Sequence, residues 1–287
     1  MDRWAYARAR PVIDFYRLEA QAAEHARSFR AARPIPHLVI DGFLREDVAQ
    51  QAFAAFPPLP DMDARHDFRQ DKAQDPEIGK FDPVFGAIIF EHLHSPRLLT
   101  WLEAVTGASG LRPDPQLYAS GLAQGGHGSF LNIHIDNSSH PVQPWYRRLN
   151  LLVYLNLHWN EDKGGHLELW SEDMRDSVAI LPRHNRMVIF ATHRRSWHGY
   201  RRVNTPDGDT RKSINIYYFS EHSPEDAEYY HVTSFRGRPG EFRNRLVYPL
   251  DNWLRTLARR LGLHRDRHAV LLPSSPPREG NREGEAR

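Results

Sequence analysis

The chain has 287 residues, of which 40% are hydrophobic, and its many aromatic residues are enough for a sizeable core. Its formal charge of +2 is nearly balanced and gives no support for a nucleic-acid partner. It has no cysteine, which excludes disulfides, zinc-thiolate sites, iron–sulfur clusters and cysteine nucleophiles. Its 17 His are therefore the natural candidates for metal ligands.

The chain has no obvious targeting or membrane signal. Its N-terminal segment contains no continuous apolar run of the signal-peptide type. No stretch approaches the ~18 consecutive apolar residues that a membrane span needs. We therefore expect a soluble, cytoplasmic protein that has neither a membrane nor a nucleic acid as a partner.

The N-terminal part of the chain combines helical and extended patterns. Residues 13–32 and 44–56 show the apolar spacing of amphipathic helices. Between them, residues 34–44 have the composition of a buried strand, closed by Asp41 and Gly42. These elements predict a helical cap that precedes the main body of the fold.

A polar stretch and a further helix come next. Residues 61–84 are polar and aperiodic, which favours a loop that lies over a surface or acts as a lid. Ser95 and Pro96 form a typical helix start, with a capping hydroxyl followed by Pro at the first helical position. We expect this helix to end near Gly107.

From Leu117 onwards the pattern changes to short apolar runs with a period of two, separated by Gly, Asn, Asp and Pro. Many short strands at this spacing predict a β-sandwich or barrel. The predicted strands cover residues 129–135, 149–157, 165–170, 177–182, 186–192 and 213–219.

The C-terminal part predicts one helix and a disordered tail. Leu250 to Leu261 has helical apolar spacing, whereas residues 271–287 are rich in Pro, Gly, Glu and Arg. Because residues 1–270 contain no repeat and no linker, we expect one domain with the β core at about 115–220.

A His-x-Asp pair lies within one of the predicted strands, at His134 and Asp136. About one such pair is expected by chance in a chain of this composition, and His264-x-Asp266 is a second one. On a strand the two side chains share a face, with Asn132 if no bulge intervenes. A neutral imidazole and a carboxylate on one face can take two adjacent positions on an octahedral metal.

Residues further along the chain support a metal site at the first of these pairs. His193 and His198 are candidates for a third ligand, which would complete the 2-His-1-carboxylate set of non-haem Fe(II) enzymes. Arg211 and Ser213 follow at alternate positions of a strand, where a guanidinium and a hydroxyl can hold a carboxylate. Tyr154 offers a phenolic hydroxyl.

With this order of motifs, the segment from residue 36 to residue 219 resembles the Fe(II)/2-oxoglutarate-dependent dioxygenases, in the prolyl-4-hydroxylase-like branch. The resemblance implies a mainly β fold with flanking helices. Its core would be a double-stranded β-helix, the jelly-roll or cupin-like arrangement, with an N-terminal helical cap and a C-terminal helix. The motifs that carry it are HLVIDGFL, SFLNIHIDN, RRLNLLVYLNLHW, GGHLELW, NRMVIFAT, SWHGY and TRKSINIYYF.

The resemblance also implies a role for each residue of the site. Iron would be held by His134, Asp136 and His198, with His198 preferred over His193 because WHG matches the family's distal-histidine context. The 2-oxoglutarate co-substrate would be held by Arg211, Ser213 and Tyr154. The sequence departs from the family where prolyl hydroxylases often carry a tyrosine, and here Gln124 or Asn132 would take that place.

The function implied is hydroxylation of an unactivated C–H bond in an amino-acid, peptidyl or natural-product substrate, with release of succinate and CO2. The reaction would use Fe(II), 2-oxoglutarate and O2, and ascorbate would stimulate it. The alternative is a non-catalytic, cupin-like protein that binds a metal or ligand. Arg211 and Ser213 distinguish the two, because a binding module needs no carboxylate anchor at that position.

Three arginine pairs flank the motif strands, at 147–148, 194–195 and 201–202. They are either solvated loop residues or a basic rim that attracts an acidic substrate. The sequence leaves open whether the substrate is a small molecule or a peptide, which position is oxidised, whether the outcome is hydroxylation or desaturation, and whether the protein is a monomer or a homodimer.

Overall fold

A computed structural model describes residues 11–224 and 231–260 and shows a mainly β protein with flanking helices. Its helices are α1 Phe15–Ala20, α2 Ala22–Ala31, α3 Glu46–Ala54, α4 Pro83–Gly86, the π-helix Ala87–Leu93, α5 Pro96–Thr106 and α6 Phe242–Arg260. Its strands are β1 His37–Asp41, β2 Ala64–His66, β3 Gln70–Asp75, β4 Arg112–Pro113, β5 Gly121–Gly125, β6 Phe130–Ile135, β7 Tyr146–Tyr154, β8 Leu167–Trp170, β9 Ser177–Ile180, β10 Arg186–Ala191, β11 Trp197–Tyr200, β12 Arg211–Ser220 and β13 Ser234–Phe235.

The strands form one antiparallel sheet in the order β1-β10-β7-β12-β5-β3-β6-β11-β8-β9. The remaining strands pair at its side: β2 with β3, β4 with β12, and β13 with β6. Strands far apart in this order nevertheless pack together. Leu152 of β7 and Val188 of β10 share one buried cluster with Leu169 of β8 and Ile180 of β9. The sheet therefore curls until its two ends face each other.

The central strands are buried on both faces, which explains their continuous apolar runs. In β7, Leu149, Leu151 and Val153 pack against the helices outside the sheet. The alternate side chains, of Asn150 and Leu152, line a cavity inside the curl. The outer face therefore provides most of the core, and the inner face provides the cavity.

The helical layer is built largely as its sequence predicts. Ser95 caps α5 by accepting a hydrogen bond from the backbone N–H of Leu98 at 3.2 Å, and Gly107 ends the helix in the left-handed conformation. The predicted helix over residues 13–32 is divided into α1 and α2 at Gln21. In the described part of the chain, no helix is both long enough and apolar enough to cross a membrane.

The prediction of a loop or lid over residues 61–84 is wrong. This segment contains β2 and β3, and β3 lies in the middle of the sheet between β5 and β6. Its inward side chains, Gln70, Lys72 and Gln74, line the polar cavity, so the apolar alternation that normally marks a strand is missing. A strand that borders a polar cavity on one face thus has the composition of a loop.

The C-terminal helix begins eight positions before the predicted start at Leu250, at Phe242. Leu261, the predicted end, lies outside the described residues, as do His264, Asp266 and the predicted tail 271–287.

A β-bulge interrupts the pairing of β6 with β11. His198 is opposite His134, but Tyr200 is opposite Leu131, so Asn132 and Ile133 together face the single residue Gly199. A Cβ atom at Gly199 would lie 2.6 Å from the carbonyl oxygen of Leu131. Only glycine leaves room for the bulged backbone at this point.

The Gly199→Ala substitution is therefore expected to destabilise the protein by about 1–3 kcal/mol, because β6 and β11 must move apart. Urea unfolding of the full chain measures this change. Gly86→Ala is the matched control, because Gly86 has a right-handed helical backbone and a Cβ there meets no atom within 4 Å. Equal unfolding midpoints for the two variants would contradict the bulge argument.

Candidate metal and co-substrate site

Three potential metal ligands meet inside the curled sheet. His134 and His198 are cross-strand neighbours on β6 and β11, and Asp136 follows the end of β6. One ligand atom from each of the three lies within 4.8 Å of the others. The Nε2 atoms of His134 and His198 lie 3.4 and 3.5 Å from the two carboxylate oxygens of Asp136. The geometry thus brings together the three residues predicted from sequence.

Backbone contacts orient both imidazoles. Nδ1 of His134 lies 3.0 Å from the carbonyl oxygen of Asn132, and Nδ1 of His198 lies 2.9 Å from that of Ser196. A carbonyl only accepts, so each Nδ1 carries the proton and each Nε2 is left with a free lone pair. Both lone pairs point towards Asp136. A divalent metal requires this tautomer, in which Nε2 is unprotonated and can bind the metal.

The charges around Asp136 keep it ionised. Burial alone would raise its pKa, but the two imidazoles of His198 and His134 and the positive charge of Arg147 outweigh burial and hold the pKa well below its usual range. The hydroxyl of Tyr217 also donates a hydrogen bond to Oδ2 of Asp136 at 3.0 Å. Burial lowers the pKa of His198 to about 4, so this imidazole is neutral at neutral pH.

Arg147 is a member of the site that the sequence pattern did not reveal. Its side chain is only 2% exposed, and Nη1 lies 3.4 Å from Oδ1 of Asp136. Its guanidinium also stacks on the ring of Tyr217 at 3.8 Å. The reading of the pair 147–148 as solvated loop residues or a basic rim is therefore wrong for Arg147. One arginine of a pair looks like the other in the sequence, and a β-bulge at this point of β7, where Phe219 is opposite Arg147 while Tyr218 is opposite Leu149, turns Arg147 inward.

A second group of predicted residues lies around Arg211. The guanidinium donates to the carbonyl oxygen of Gly165 at 2.7 Å and to the hydroxyl of Tyr154 at 3.0 Å. It also lies over the ring of Tyr200 at 4.2 Å. Arg211 is 6% exposed, yet no carboxylate among the described residues is within 4 Å of it. Ser213, two residues along β12, is 1% exposed, and its hydroxyl has no partner.

Both groups line one cavity of about 350 Å³. Gln124 also lines it; its Nε2 donates to Thr210 at 2.8 Å, and its Oε1 has no hydrogen-bond partner. The walls include Leu131, Leu152 and Leu167. A charged pocket with two distinct polar ends and apolar walls suits a small, elongated acid.

Asn132 lies elsewhere. It is expected to share the face of His134 only in a strand without a bulge, and the bulge in β6 reverses the alternation between Leu131 and His134. Its side chain donates to the hydroxyl of Tyr248 at 2.6 Å and accepts from Arg238 at 3.2 Å. Asn132 thus borders a different cavity, on the other side of β6.

The other histidine candidates do not join the metal group. His193 lies in the turn before β11, where its ring accepts a hydrogen bond from the backbone N–H of Arg195. Within the described ranges 11–224 and 231–260, the potential metal-binding group is His134, Asp136 and His198. His264 lies outside those ranges.

Two cations of the cavity were not predicted at all, because they belong to the segment that was read as a loop. Arg65 of β2 and Lys72 of β3 both donate to the same oxygen, Oε1 of Gln74, at 3.3 and 2.9 Å. Burial, together with the nearby charges of Arg65 and Arg211, lowers the pKa of Lys72 to about 7. The alternation of Gln70, Lys72 and Gln74 was the sequence signal that could have predicted a strand here, because side chains of a strand alternate between its faces whether they are polar or apolar.

Comparison with known proteins agrees with this picture. Residues 120–219 match the model of the 2OG-Fe(II) oxygenase superfamily. No curated protein matches the chain by sequence.

Among solved structures, the chain is similar to a prolyl hydroxylase from Trichoplax adhaerens in complex with a hypoxia inducible factor peptide fragment. The identity is 18%, the match covers 72% of this chain and 93% of that one, and the TM-score is 0.52. It is also similar to prolyl 4-hydroxylases from Phytophthora capsici, with 20% identity, coverage of 87% and 76%, and a TM-score of 0.52. At these identities the likeness establishes the fold, so the predicted jelly-roll core is confirmed.

Proposed function

From the match of residues 120–219 to the 2OG-Fe(II) oxygenase superfamily, we propose that the protein hydroxylates an unactivated C–H bond of an acidic amino-acid, peptidyl or natural-product substrate. The observation that carries the proposal is one cavity with two complementary ends. At one end, His134, Asp136 and His198 converge. At the other, Arg211 has no carboxylate within 4 Å among the described residues, and the hydroxyl of Ser213 has no hydrogen-bond partner.

The residues present fit both groups that the domain requires. Two neutral imidazoles and one carboxylate on a single face suit Fe(II) and leave positions open for other ligands. At the far end, a buried guanidinium without a counter-ion is costly unless an acid binds to it. The unpartnered hydroxyl of Ser213 adds a second donor for the same carboxylate.

In this proposal His134, Asp136 and His198 hold Fe(II), and Arg211 and Ser213 hold the far carboxylate of 2-oxoglutarate. When bound there, Fe(II) and 2-oxoglutarate use O2 to oxidise the substrate, with release of succinate and CO2.

The surrounding side chains hold this machinery in place. Tyr154 accepts a hydrogen bond from Arg211 and fixes the direction of the guanidinium. Tyr217 and Arg147 hold the two oxygens of Asp136. Contacts of this kind tune the affinity of metal ligands. Leu152 and Leu167 line the cavity and exclude water from its walls.

Two further cations support an acidic substrate. In the described part of the chain, no carboxylate lies within 4 Å of Arg65 or Lys72. Nε of Arg65 is buried and has no partner, and burial lowers the pKa of this guanidinium. The two positive charges share a single neutral acceptor on Gln74 and repel each other. An anionic group on the substrate would relieve both costs.

The same cavity also offers acceptors. The side-chain oxygens of Asn150 and Asn215 are buried and have no partner, and both residues line the cavity. A substrate that carries hydroxyl or amino groups beside its acidic group would satisfy them. A polar acid therefore suits the pocket better than a purely apolar one. The superfamily match favours this enzyme over the non-catalytic, cupin-like alternative.

The first test concerns iron. Wild-type protein supplied with Fe(II) and 2-oxoglutarate under air is expected to form succinate, and ascorbate is expected to stimulate it. His198→Ala should lose this activity and bind Fe(II) at least about 100-fold more weakly, since even the loss of an outer contact costs 10–100-fold. His193→Ala is the matched control and should keep both properties. Iron retained by His198→Ala but lost by His193→Ala would reverse the assignment.

The second test concerns the co-substrate. Arg211→Ala removes one partner of a buried charge pair, which costs about 3–5 kcal/mol. We therefore expect 2-oxoglutarate to bind about 100-fold more weakly or worse, and Arg211→Lys to lie between Ala and wild type because it keeps the charge without the planar fork. An anaerobic titration of the Fe(II) protein, followed by its charge-transfer absorption, measures this. Unchanged binding by Arg211→Ala would remove Arg211 as the anchor.

The third test concerns the substrate. Candidate substrates that stimulate succinate formation are expected to carry an acidic group. Lys72→Met and Arg65→Gln should raise KM for them by about 10-fold or more, since hydrogen bonds to charged groups contribute ~1.5–3 kcal/mol. The substrate-free turnover of 2-oxoglutarate should be unchanged. Arg175→Gln, at an exposed position outside the cavity, is the control.

The pH dependence provides a further check on the same variants. Lys72 is protonated below its pKa of about 7 and neutral above it, so kcat/KM for an acidic substrate should fall as pH rises through about 7. The fall should be smaller in Lys72→Met. Acidic substrates with wild-type KM values in both variants, or an equal rise in KM for neutral substrates, would show that the cations do not select acids.

A further inference from the structure

The C-terminal helix α6 lies on the protein with its polar face inward. Its inward residues include Tyr248, Asn252 and Arg255, and Tyr248 is fully buried. Its apolar residues point to solvent. The exposed apolar side chains of α6 are Phe242, Leu246, Val247, Leu250, Trp253, Leu254 and Leu257. A helix that packs on a soluble core normally has the opposite orientation.

Specific polar contacts fix this orientation. Asn252 accepts from the backbone N–H of Phe235 at 2.9 Å and donates to its carbonyl oxygen at 2.8 Å. Arg255 donates to the carbonyl oxygen of Thr233 at 2.6 Å. The hydroxyl of Tyr248 accepts from the side chain of Asn132 at 2.6 Å. Turning the apolar face inward would break all of these contacts. The exposure of the apolar face is therefore fixed by the fold.

The exposed face is large and contains few charges. Phe242 is 76% exposed and Leu246 is 79% exposed. The 19 residues of α6 extend over about 28 Å, so the face forms a continuous apolar strip. Strips of this size on a soluble protein usually mark a binding surface.

We propose that α6 binds the surface of an anionic phospholipid membrane. Helices that lie in the membrane interface combine a strip of Trp, Phe and Leu with basic residues beside it. Arg243 and Arg245 are exposed on the first turns of α6. A second cavity at that end of the helix, about 850 Å³ in volume, is lined by Arg201, Arg202 and Arg238.

These basic residues suit lipid phosphates. Arg202 has no carboxylate within 4 Å in the described part of the chain, and its guanidinium stacks on Phe130 at 4.5 Å. Arg201 and Arg238 share the carboxylate of Glu168, and Arg238 also pairs with Glu241 at 3.5 Å, so the three arginines still outnumber their two carboxylates. Arg243 can extend its charge to the headgroups while its stem stays on the apolar strip.

A second copy of the chain fits this face less well. A single helix about 28 Å long and ~10 Å wide covers roughly 300 Å² per copy. A standard stable interface needs about 800 Å² per partner. A membrane has no such requirement, because each apolar side chain that enters the interface contributes separately.

Binding through this face would place the membrane beside the catalytic cavity. Arg255, on the inward face of α6, lines that cavity. The inference differs from the sequence-based expectation of no membrane partner, but it is compatible with the absence of a spanning helix among the described residues. It does not depend on the proposed reaction.

Vesicle co-sedimentation of the full chain tests the proposal. Wild type should sediment with phosphatidylcholine vesicles that contain phosphatidylglycerol, remain in solution with phosphatidylcholine alone, and be released by salt. Leu246→Glu should weaken binding about 10-fold or more, and Trp253→Glu should act in the same way. Tyr16→Glu is the matched control, because Tyr16 is also 79% exposed but lies on α1. The far-UV circular dichroism spectrum and the urea unfolding midpoint should be unchanged in all three variants, which shows that they are folded.

Three outcomes would overturn the proposal. The first is wild type that stays in solution with anionic vesicles at low ionic strength. The second is equal binding by wild type, Leu246→Glu and Trp253→Glu. The third is a wild-type protein that does not bind vesicles and is a dimer in analytical ultracentrifugation, while Leu246→Glu is a monomer. That result would assign the face to a second copy. Loss of the oxygenase activity alone would leave the membrane proposal standing, since the two readouts are independent.

Discussion

The antiparallel pairing of β6 with β11 is the constraint on which the site depends. It places His134 directly opposite His198, and the bulge at Asn132 and Ile133 decides which neighbouring side chains face inward. Gly199 makes the bulge possible, because any Cβ there would collide with the backbone of β6. Without that extra residue, Asn132 instead of Leu131 would line the cavity, and the lining of the pocket would be different.

Charge balance explains the rest of the cavity. Asp136 has its compensating charges in the protein itself, from Arg147 and the hydrogen bond of Tyr217. Arg211, Arg65 and Lys72 have none among the described residues, so the cavity has an excess of positive charge that only an acid can neutralise. The protein thus compensates the charge at its metal end and leaves it uncompensated at its two cationic positions, where we place the co-substrate and the substrate.

Polar side chains inside the fold create two surfaces that a simple hydrophobic pattern does not describe. β3 is a central strand whose inner face is polar because it borders the cavity. α6 is a helix whose inner face is polar because Asn252 and Arg255 bond to the backbone of the body. In β3, the polar inner face removes the apolar alternation by which a strand is recognised in the sequence. In α6, the polar inner face leaves the apolar face of the helix exposed to solvent. Both segments contribute side chains to the wall of the catalytic cavity.

The sequence by itself predicted the many short strands, the capped helix at Ser95 and the candidate site residues, because these depend on local spacing and residue type. Those site residues are His134, Asp136, His198, Arg211 and Ser213. The sequence did not determine the roles of residues 61–84, the burial of Arg147 or the direction of Asn132. Those depend on which strands pair, where one extra residue is inserted, and which face borders a cavity. Such choices involve contacts between distant parts of the chain, and only the tertiary structure decides them.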